Sequence, residues 1–274
     1  MNIDLSIHTD LAIKILTGFV KSEITRVGLS RAVIGLSGGI DSALSCALAS
    51  EALGPENVLA VRMPYRTSSA DSLTDAEKTA THFGIPMKTI EITPMVEPMI
   101  QLDPQMSNIR KGNLMARARM IVLYDQSEAF KGLVVGTSNK TEILLGYTTL
   151  WGDMASALNP IGDLYKTQVR QLSRAMNIPQ SVIDKPPSGD LWEGQTDEGE
   201  LGFTYQEVDK LLYLLVDRRY MIENCIAAGF DKEFVIQVIE RVRRNQYKRM
   251  MPLIPKLSNR TVGTDFLYLR DWGT

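Results

Sequence analysis

The stretch of this chain best equipped for chemistry is Ser37-Gly38-Gly39-Ile40-Asp41-Ser42. An apolar, β-prone run over 32–36 enters it, and a helix-forming run over 43–53 leaves it. Such a strand–turn–helix order aims backbone N–H groups and two hydroxyls at one point, where a helix N-terminus favours negative charge. Gly38 and Gly39 let the main chain turn sharply and approach a ligand closely. An anion suits that position, and Asp41 at its rim is placed to hold the Mg²⁺ that a polyphosphate carries. The pattern is not a Walker loop, because no Lys follows its glycines, and the Gly-x-Gly-x-x-Gly dinucleotide fingerprint is absent.

The elements that must position this loop read as alternating helices and strands. Helices are expected over 6–27, 43–53, 75–83 and 108–130, with a short one opened by Thr93-Pro94. Strands are expected over 32–36, 57–63, 87–92 and 133–136. Thr74 and Glu77 stand at capping-box spacing for the third long helix. Alternation of this kind predicts an α/β fold, a doubly wound parallel sheet flanked by helices. Ligands bind such sheets beyond the carboxyl ends of the strands, so the loops 37–42, 63–67 and 137–142 should share one rim.

Beyond Gly146 the periodicity fades. Residues 184–203 are rich in glycine and acid, and are expected to form a lid, disordered without ligand. Thr204 and Glu207 form a second capping box that opens a helical C-terminal part over 204–274. Residues 241–260 carry Arg241, Arg243, Arg244, Lys248, Arg249, Lys256 and Arg260 and no acid. They make either a solvated helix face or a surface that meets a phosphate-bearing substrate, within one chain or across a dimer interface. Nothing splits the chain, so one domain over 1–274 is expected, with its nucleotide-binding core at about 30–180.

Composition narrows the chemistry. A net charge of −2 gives no electrostatic footprint for a general nucleic-acid binder. With 2 cysteines, Cys46 and Cys225, and no Cys-x-x-Cys pair, neither a disulfide framework nor a zinc or sulfur-relay site is supplied. Only 2 histidines, His8 and His82, are present, so carboxylates, lysines, arginines, hydroxyls and metal ions must carry any reaction. No secretory leader and no apolar run of membrane length is seen, which predicts a cytoplasmic protein without a membrane partner.

Ser-Gly-Gly-x-Asp-Ser resembles the pyrophosphate loop of the N-type ATP pyrophosphatases, which cleave ATP between its α- and β-phosphates. The second half narrows this resemblance. Gly136-Thr137-Ser138-Asn139-Lys140-Thr141-Glu142, Leu145-Gly146-Tyr147 and Trp151-Gly152-Asp153 are similar to motifs of the NAD synthetases. So are Asp163-Leu164-Tyr165-Lys166-Thr167, Pro187-Ser188-Gly189-Asp190-Leu191, Gln195-Thr196-Asp197-Glu198 and Tyr247-Lys248-Arg249. The resemblance runs from about residue 10 onward. It implies an adenine-nucleotide-α-hydrolase-like fold and amidation of deamido-NAD by ammonia, through an adenylated carboxylate, with ATP as co-substrate, Mg²⁺ and a homodimer.

Carried over residue by residue, it implies that Gly35, Leu36, Ser37, Gly38, Gly39, Ile40, Asp41 and Ser42 bind ATP. Met63, Thr137, Lys166 and Ser188 join them, Ser188 standing where the family commonly has threonine. Asp41 and Glu142 would hold Mg²⁺; Asp41, Lys166 and Asp153 would act in catalysis. Arg117, Asp153, Tyr247 and Lys248 would bind deamido-NAD, whereas Arg110 and Arg119 read as surface charges.

Two family ligands are missing, with Leu150 in place of a substrate lysine and Ala157 in place of an acid. In this the chain resembles the synthetase part of glutamine-dependent relatives. Their separate glutaminase has no room in 274 residues, so free ammonia or ammonia from another polypeptide is expected. Another amidating pyrophosphatase, GMP synthetase-like, is the alternative; a thiolating enzyme or a non-catalytic nucleotide-binding module is less consistent with the residues present.

Overall fold

Ala32–Gly35 forms β1, whose first three side chains are fully buried, as befits a central parallel strand covered on both faces. The computed structural model describes residues 3–192 and 194–266. Val58–Arg62 (β2), Met87–Thr89 (β3) and Leu133–Val135 (β4) complete a parallel sheet of order β3-β2-β1-β4. Ala32 pairs with Val58 on one side and with Leu133 on the other, and Ala60 pairs with Met87. The chain therefore leaves β1 toward β2 and returns on its other flank at β4. That reversal opens a crevice between the carboxyl ends of β1 and β4.

Alternation along the strands divides the core. Ala32, Ile34, Val58 and Ala60 face helices α1 (Thr9–Arg26), α2 (Ile40–Leu53) and α3 (Ala70–His82). Val33 and Val61 face α4 (Thr93–Gln101) and α5 (Asn108–Phe130). After α6 (Lys140–Leu145) come α7 (Lys166–Ala175), α8 (Gln180–Asp184) and α9 (Asp197–Leu201). The C-terminal helices α10 (Tyr205–Leu212), α11 (Ile222–Ala227) and α12 (Lys232–Arg244) bury a cluster of their own around Leu145, Tyr165, Leu211 and Val238. The doubly wound α/β fold with a helical C-terminal part is the one expected.

Several boundaries differ from the sequence-based expectation. α2 begins at Ile40, not at residue 43, with Gly39 as its N-cap, so Asp41 and Ser42 belong to its first turn. α3 begins five residues earlier than position 75, because Ser69 and not Thr74 is the cap: its side chain accepts the Ser72 N–H. Thr74 instead donates its hydroxyl to the Ala70 carbonyl inside the helix, at 2.9 Å. α1 starts at Thr9, capped by the His8 ring. β3 is shorter than 87–92, and Ile90 and Ile92 continue beside β2 through bonds to Arg62 and Pro64.

Candidate active site

The turn between β1 and α2 is organised by its two serines. The Ser37 N–H donates to Ser42 Oγ at 3.3 Å, and the two hydroxyls lie 3.1 Å apart. Ser42 also donates to the Gly39 carbonyl at 2.9 Å. Gly38 has φ +82°, and a Cβ there would lie 2.2 Å from the Ser72 carbonyl oxygen. Any side chain would be strained and would collide with α3, so glycine is required. The hydroxyls and the start of α2 thus face a cavity of about 460 Å³ lined by Gly35, Leu36, Ser37, Gly39 and Ile40 from this turn.

A cation is held at the mouth of that turn where the first turns of three helices meet. The Lys166 ammonium bonds to Asp41 and lies 3.1 Å from Glu142. Asp41 comes from α2, Glu142 from α6 and Lys166 from the first residue of α7. A cation at a helix N-terminus opposes the helix dipole, and the two carboxylates offset that cost. Asn139 joins the two: its Nδ2 donates to Asp41 at 2.9 Å, while its Oδ1 accepts the Glu142 N–H at 3.0 Å as the cap of α6. Burial, opposed by the Lys166 ammonium and reinforced by the Asp41 and Asp197 carboxylates, pushes the Glu142 carboxyl up to about 8. Burial also works against the Lys166 charge, but Asp41 and Glu142 outweigh it and raise its pKa.

The start of α7 is fixed from beneath. Lys166 N–H donates to Thr141 Oγ1 at 3.0 Å, Thr141 donates to Asp209 at 2.6 Å, and Asp209 accepts the Thr167 N–H at 2.8 Å. Tyr205, also on α10, places its ring 5.1 Å from the Lys166 ammonium. Its hydroxyl donates to buried Asp197 at 3.0 Å, and the Tyr147 hydroxyl lies 3.2 Å from the same carboxylate. Burial first, then the neighbouring carboxylates, raise both tyrosine pKa values, so these hydroxyls stay donors. Burial raises the Asp197 pKa as well, against the pull of Lys166.

Met63, Thr137 and Ser188, assigned above to ATP, line the same cavity. Met63 is nearly buried in the β2–α5 cluster. Ser188 donates to the Gln195 carbonyl at 2.7 Å, within the acid-rich stretch. That stretch packs against two helices: Asp190 accepts the Ser69 N–H of α3 at 3.1 Å, and Leu191 sits against Gly112 of α5.

Arg119 is not the surface charge expected. It lines the cavity and donates through Nε to the Met63 carbonyl at 3.2 Å, with Asp190 and Asp153 supporting a charge that burial disfavours. The helical spacing carried the signal, because Ala116, Arg119, Met120 and Leu123 repeat at i, i+3, i+4, i+7 on the cavity face. Arg117, two positions earlier, is turned away and donates to the Leu150 carbonyl at 3.2 Å. Arg110 pairs on the surface with Asp103 at 2.5 Å.

Of the dinucleotide candidates, the cavity gathers Asp153 alone, which sits at its rim and accepts the Thr149 N–H at 2.6 Å. Tyr247 is exposed, and Lys248 donates to the Gly146 and Thr148 carbonyls at 2.7 and 2.8 Å. The basic stretch is divided: Arg243 and Arg244 are solvated, as one reading expected, while several of its other members turn inward. Arg249 donates to the Ile143 and Leu144 carbonyls at 3.1 and 2.7 Å, and Arg241 and Asn245 donate to Leu145 at 3.2 and 3.1 Å. These side chains cap the C-terminus of α6.

The NAD synthase family model matches residues 12–252. An NH₃-dependent NAD⁺ synthetase of Trichlorobacter lovleyi is 57% identical over 269 residues, covering 98% of each chain. Among solved structures, NMN synthetase from Francisella tularensis superposes with a TM-score of 0.81 at 30% identity, covering 92% of this chain and 100% of that one. A glutamine-dependent NAD⁺ synthetase from Acinetobacter baumannii, in complex with ADP, gives a TM-score of 0.69 at 33% identity. There the match covers 98% of this chain and 50% of the other. A serine–glycine loop at the switch of a parallel sheet, a carboxylate–lysine–carboxylate junction at its mouth, and a match along most of its length place the chain in the NAD synthase family.

Proposed function

We propose that this chain amidates deamido-NAD with ammonia at the expense of ATP, giving NAD, AMP and pyrophosphate. The nicotinate carboxylate oxygen attacks the α-phosphorus of ATP and pyrophosphate departs with the bond electrons. Ammonia then attacks the acyl carbon, AMP leaves, and the surplus proton passes to water or a base. The observation that carries this reading is the Asp41–Lys166–Glu142 junction at the mouth of the serine–glycine turn. Adenylation gathers negative charge on the α-phosphate and the leaving pyrophosphate, and a fixed ammonium beside oriented N–H groups and hydroxyls stabilises it.

Asp41 and Glu142 fit Mg²⁺: both are hard oxygen donors already converging on one cation. No group of three or more His, Cys, Asp or Glu suited to a metal exists among the described residues, so phosphate oxygens and water must complete the shell. When bound, the ion would neutralise phosphate charge. Ser37, Gly38, Gly39 and Ser42 would cradle pyrophosphate, Thr137 and Ser188 would give hydroxyls, and Met63 would contact adenine. Residues 184–203 act as a lid over this cavity. Arg117, Tyr247 and Lys248 meet the outer part of the dinucleotide, a reading supported by the contacts of Arg117 and Lys248 around the 146–153 segment beside Asp153.

Mixing the protein with ATP, deamido-NAD and ammonium should release AMP and pyrophosphate together; ADP and orthophosphate would overturn the assignment. A second reading, a mononucleotide acceptor, is favoured by the similarity to an NMN synthetase. Offering the two nicotinate acids in competition separates the readings. A homodimer is supported by apolar side chains left uncovered on α4 and α5, among them Met95, Met99, Ile109 and Ile121, and sedimentation tests it. No described helix is long and apolar enough to cross a membrane, which supports a cytoplasmic enzyme.

A further inference from the structure

A Walker loop carries its own lysine to the terminal phosphates, whereas the turn here has none. Lys166 supplies a cation on one side only, fixed between Asp41 and Glu142. A second lysine borders the same cavity. Lys185 follows α8 directly, and its ammonium donates to Ser72 Oγ at 2.9 Å. Ser72 is in the first turn of α3, and its carbonyl is the atom that a side chain at Gly38 would strike. The ammonium is thus attached to the residue packed directly against the glycine turn.

Its other partner can release it. Lys185 lies 3.5 Å from Asp75, which is almost fully buried. Asp75 also accepts the Ser181 hydroxyl at 2.9 Å and lies 3.4 Å from the Lys78 ammonium. If Lys185 turns into the cavity, Asp75 keeps one cation and one hydroxyl, so no buried charge is abandoned. Ser72 likewise keeps the Ser69 hydroxyl at 2.8 Å. The lysine stem is flexible and only partly buried, so the reach is a matter of rotamers.

We infer that Lys185 is a second phosphate-binding cation of this site, contacting the outer phosphates of ATP and then the pyrophosphate product. This rests on the reading that ATP lies with its phosphates in the serine–glycine turn. Because Lys185 stands at the start of the acid-rich stretch, just before Ser188, its bond to phosphate also links pyrophosphate occupancy to the root of that stretch.

Titration calorimetry with magnesium pyrophosphate and, separately, AMP tests the assignment without turnover. Lys185→Met should weaken pyrophosphate binding about 10- to 100-fold, the loss of one charge-assisted hydrogen bond, and leave AMP binding within about 2-fold. Lys185→Arg should restore most of it. Asp75→Asn should leave pyrophosphate affinity unchanged or higher, since it frees the ammonium. If the lysine served only to pin α8 to α3, Asp75→Asn would impair binding as Lys185→Met does, and that result overturns the inference. Equal pyrophosphate affinity in wild type and Lys185→Met overturns it as well. Failure of the wild type to bind pyrophosphate at all would overturn the placement of ATP itself, and with it this inference.

Discussion

At the scale of residues, the junction of Asp41, Lys166 and Glu142 separates charge from architecture. Glu142 has two tasks, since its second oxygen accepts the Asn139 N–H at 3.4 Å in the capping box of α6. Glutamine can still make that box but brings no charge. Glu142→Gln should therefore lower kcat by about 10²–10³-fold, as for other single electrostatic groups, while circular dichroism shows the fold retained. Activity near wild type would show that this carboxylate is not used. Cys46 makes the opposite point, as a reactive group kept silent. Burial pushes its thiol up to about 12, so at pH 8 it stays the unreactive thiol. Native protein should resist alkylation at Cys46 from pH 7 to 9, and denaturant should expose the thiol at once. Rapid labelling of the native protein would contradict that burial.

At the scale of elements, α7 delivers Lys166 only because Asp209 on α10 ties down its first turn. Asp209→Ala strands the Thr141 hydroxyl and the Thr167 N–H in the interior, a cost of about 1–3 kcal/mol. At about 2–4 °C per kcal/mol for a chain of this size, the melting point should fall measurably, and activity should fall with it. An unchanged melting temperature would sink this account. Asp209 carries no sign of this role in the sequence, because its partners lie 68 and 42 residues away. The strands and the loop were legible because their signals are local: an apolar run, two glycines, an acid after a turn. Arg119 was half-legible, since helical periodicity places it on the face of Ala116 and Leu123, while its chemistry alone reads as surface. The α3 cap misled because Thr74 and Glu77 have the right spacing, yet Ser69 lies nearer the end of β2, where the helix must begin.

At the scale of the molecule, segments from 35–42 to 182–197 close the cavity, and the acid-rich stretch is held by Asp190 on the N-terminus of α3, by Leu191 on α5, and by Tyr147 and Tyr205 on Asp197. Asp190 adopts φ +50°, a backbone state that costs energy unless its contacts repay it. Asp190→Ala should raise amide exchange across 187–201 and hasten cleavage by a Glu-specific protease there, while α5 stays protected. Exchange equal to wild type would mean that the latch is not Asp190. The far side of the same site has a different dependence. α6 has six residues, too few to persist unaided, and its last carbonyls are taken by Arg241, Asn245, Lys248 and Arg249. Asn139, at the opposite end of that helix, grips Asp41. A chain cut short before Arg241 would keep every group proposed to touch ATP phosphate, yet lose the buttress behind them, so the catalytic geometry of the first half is hostage to residues 241–249.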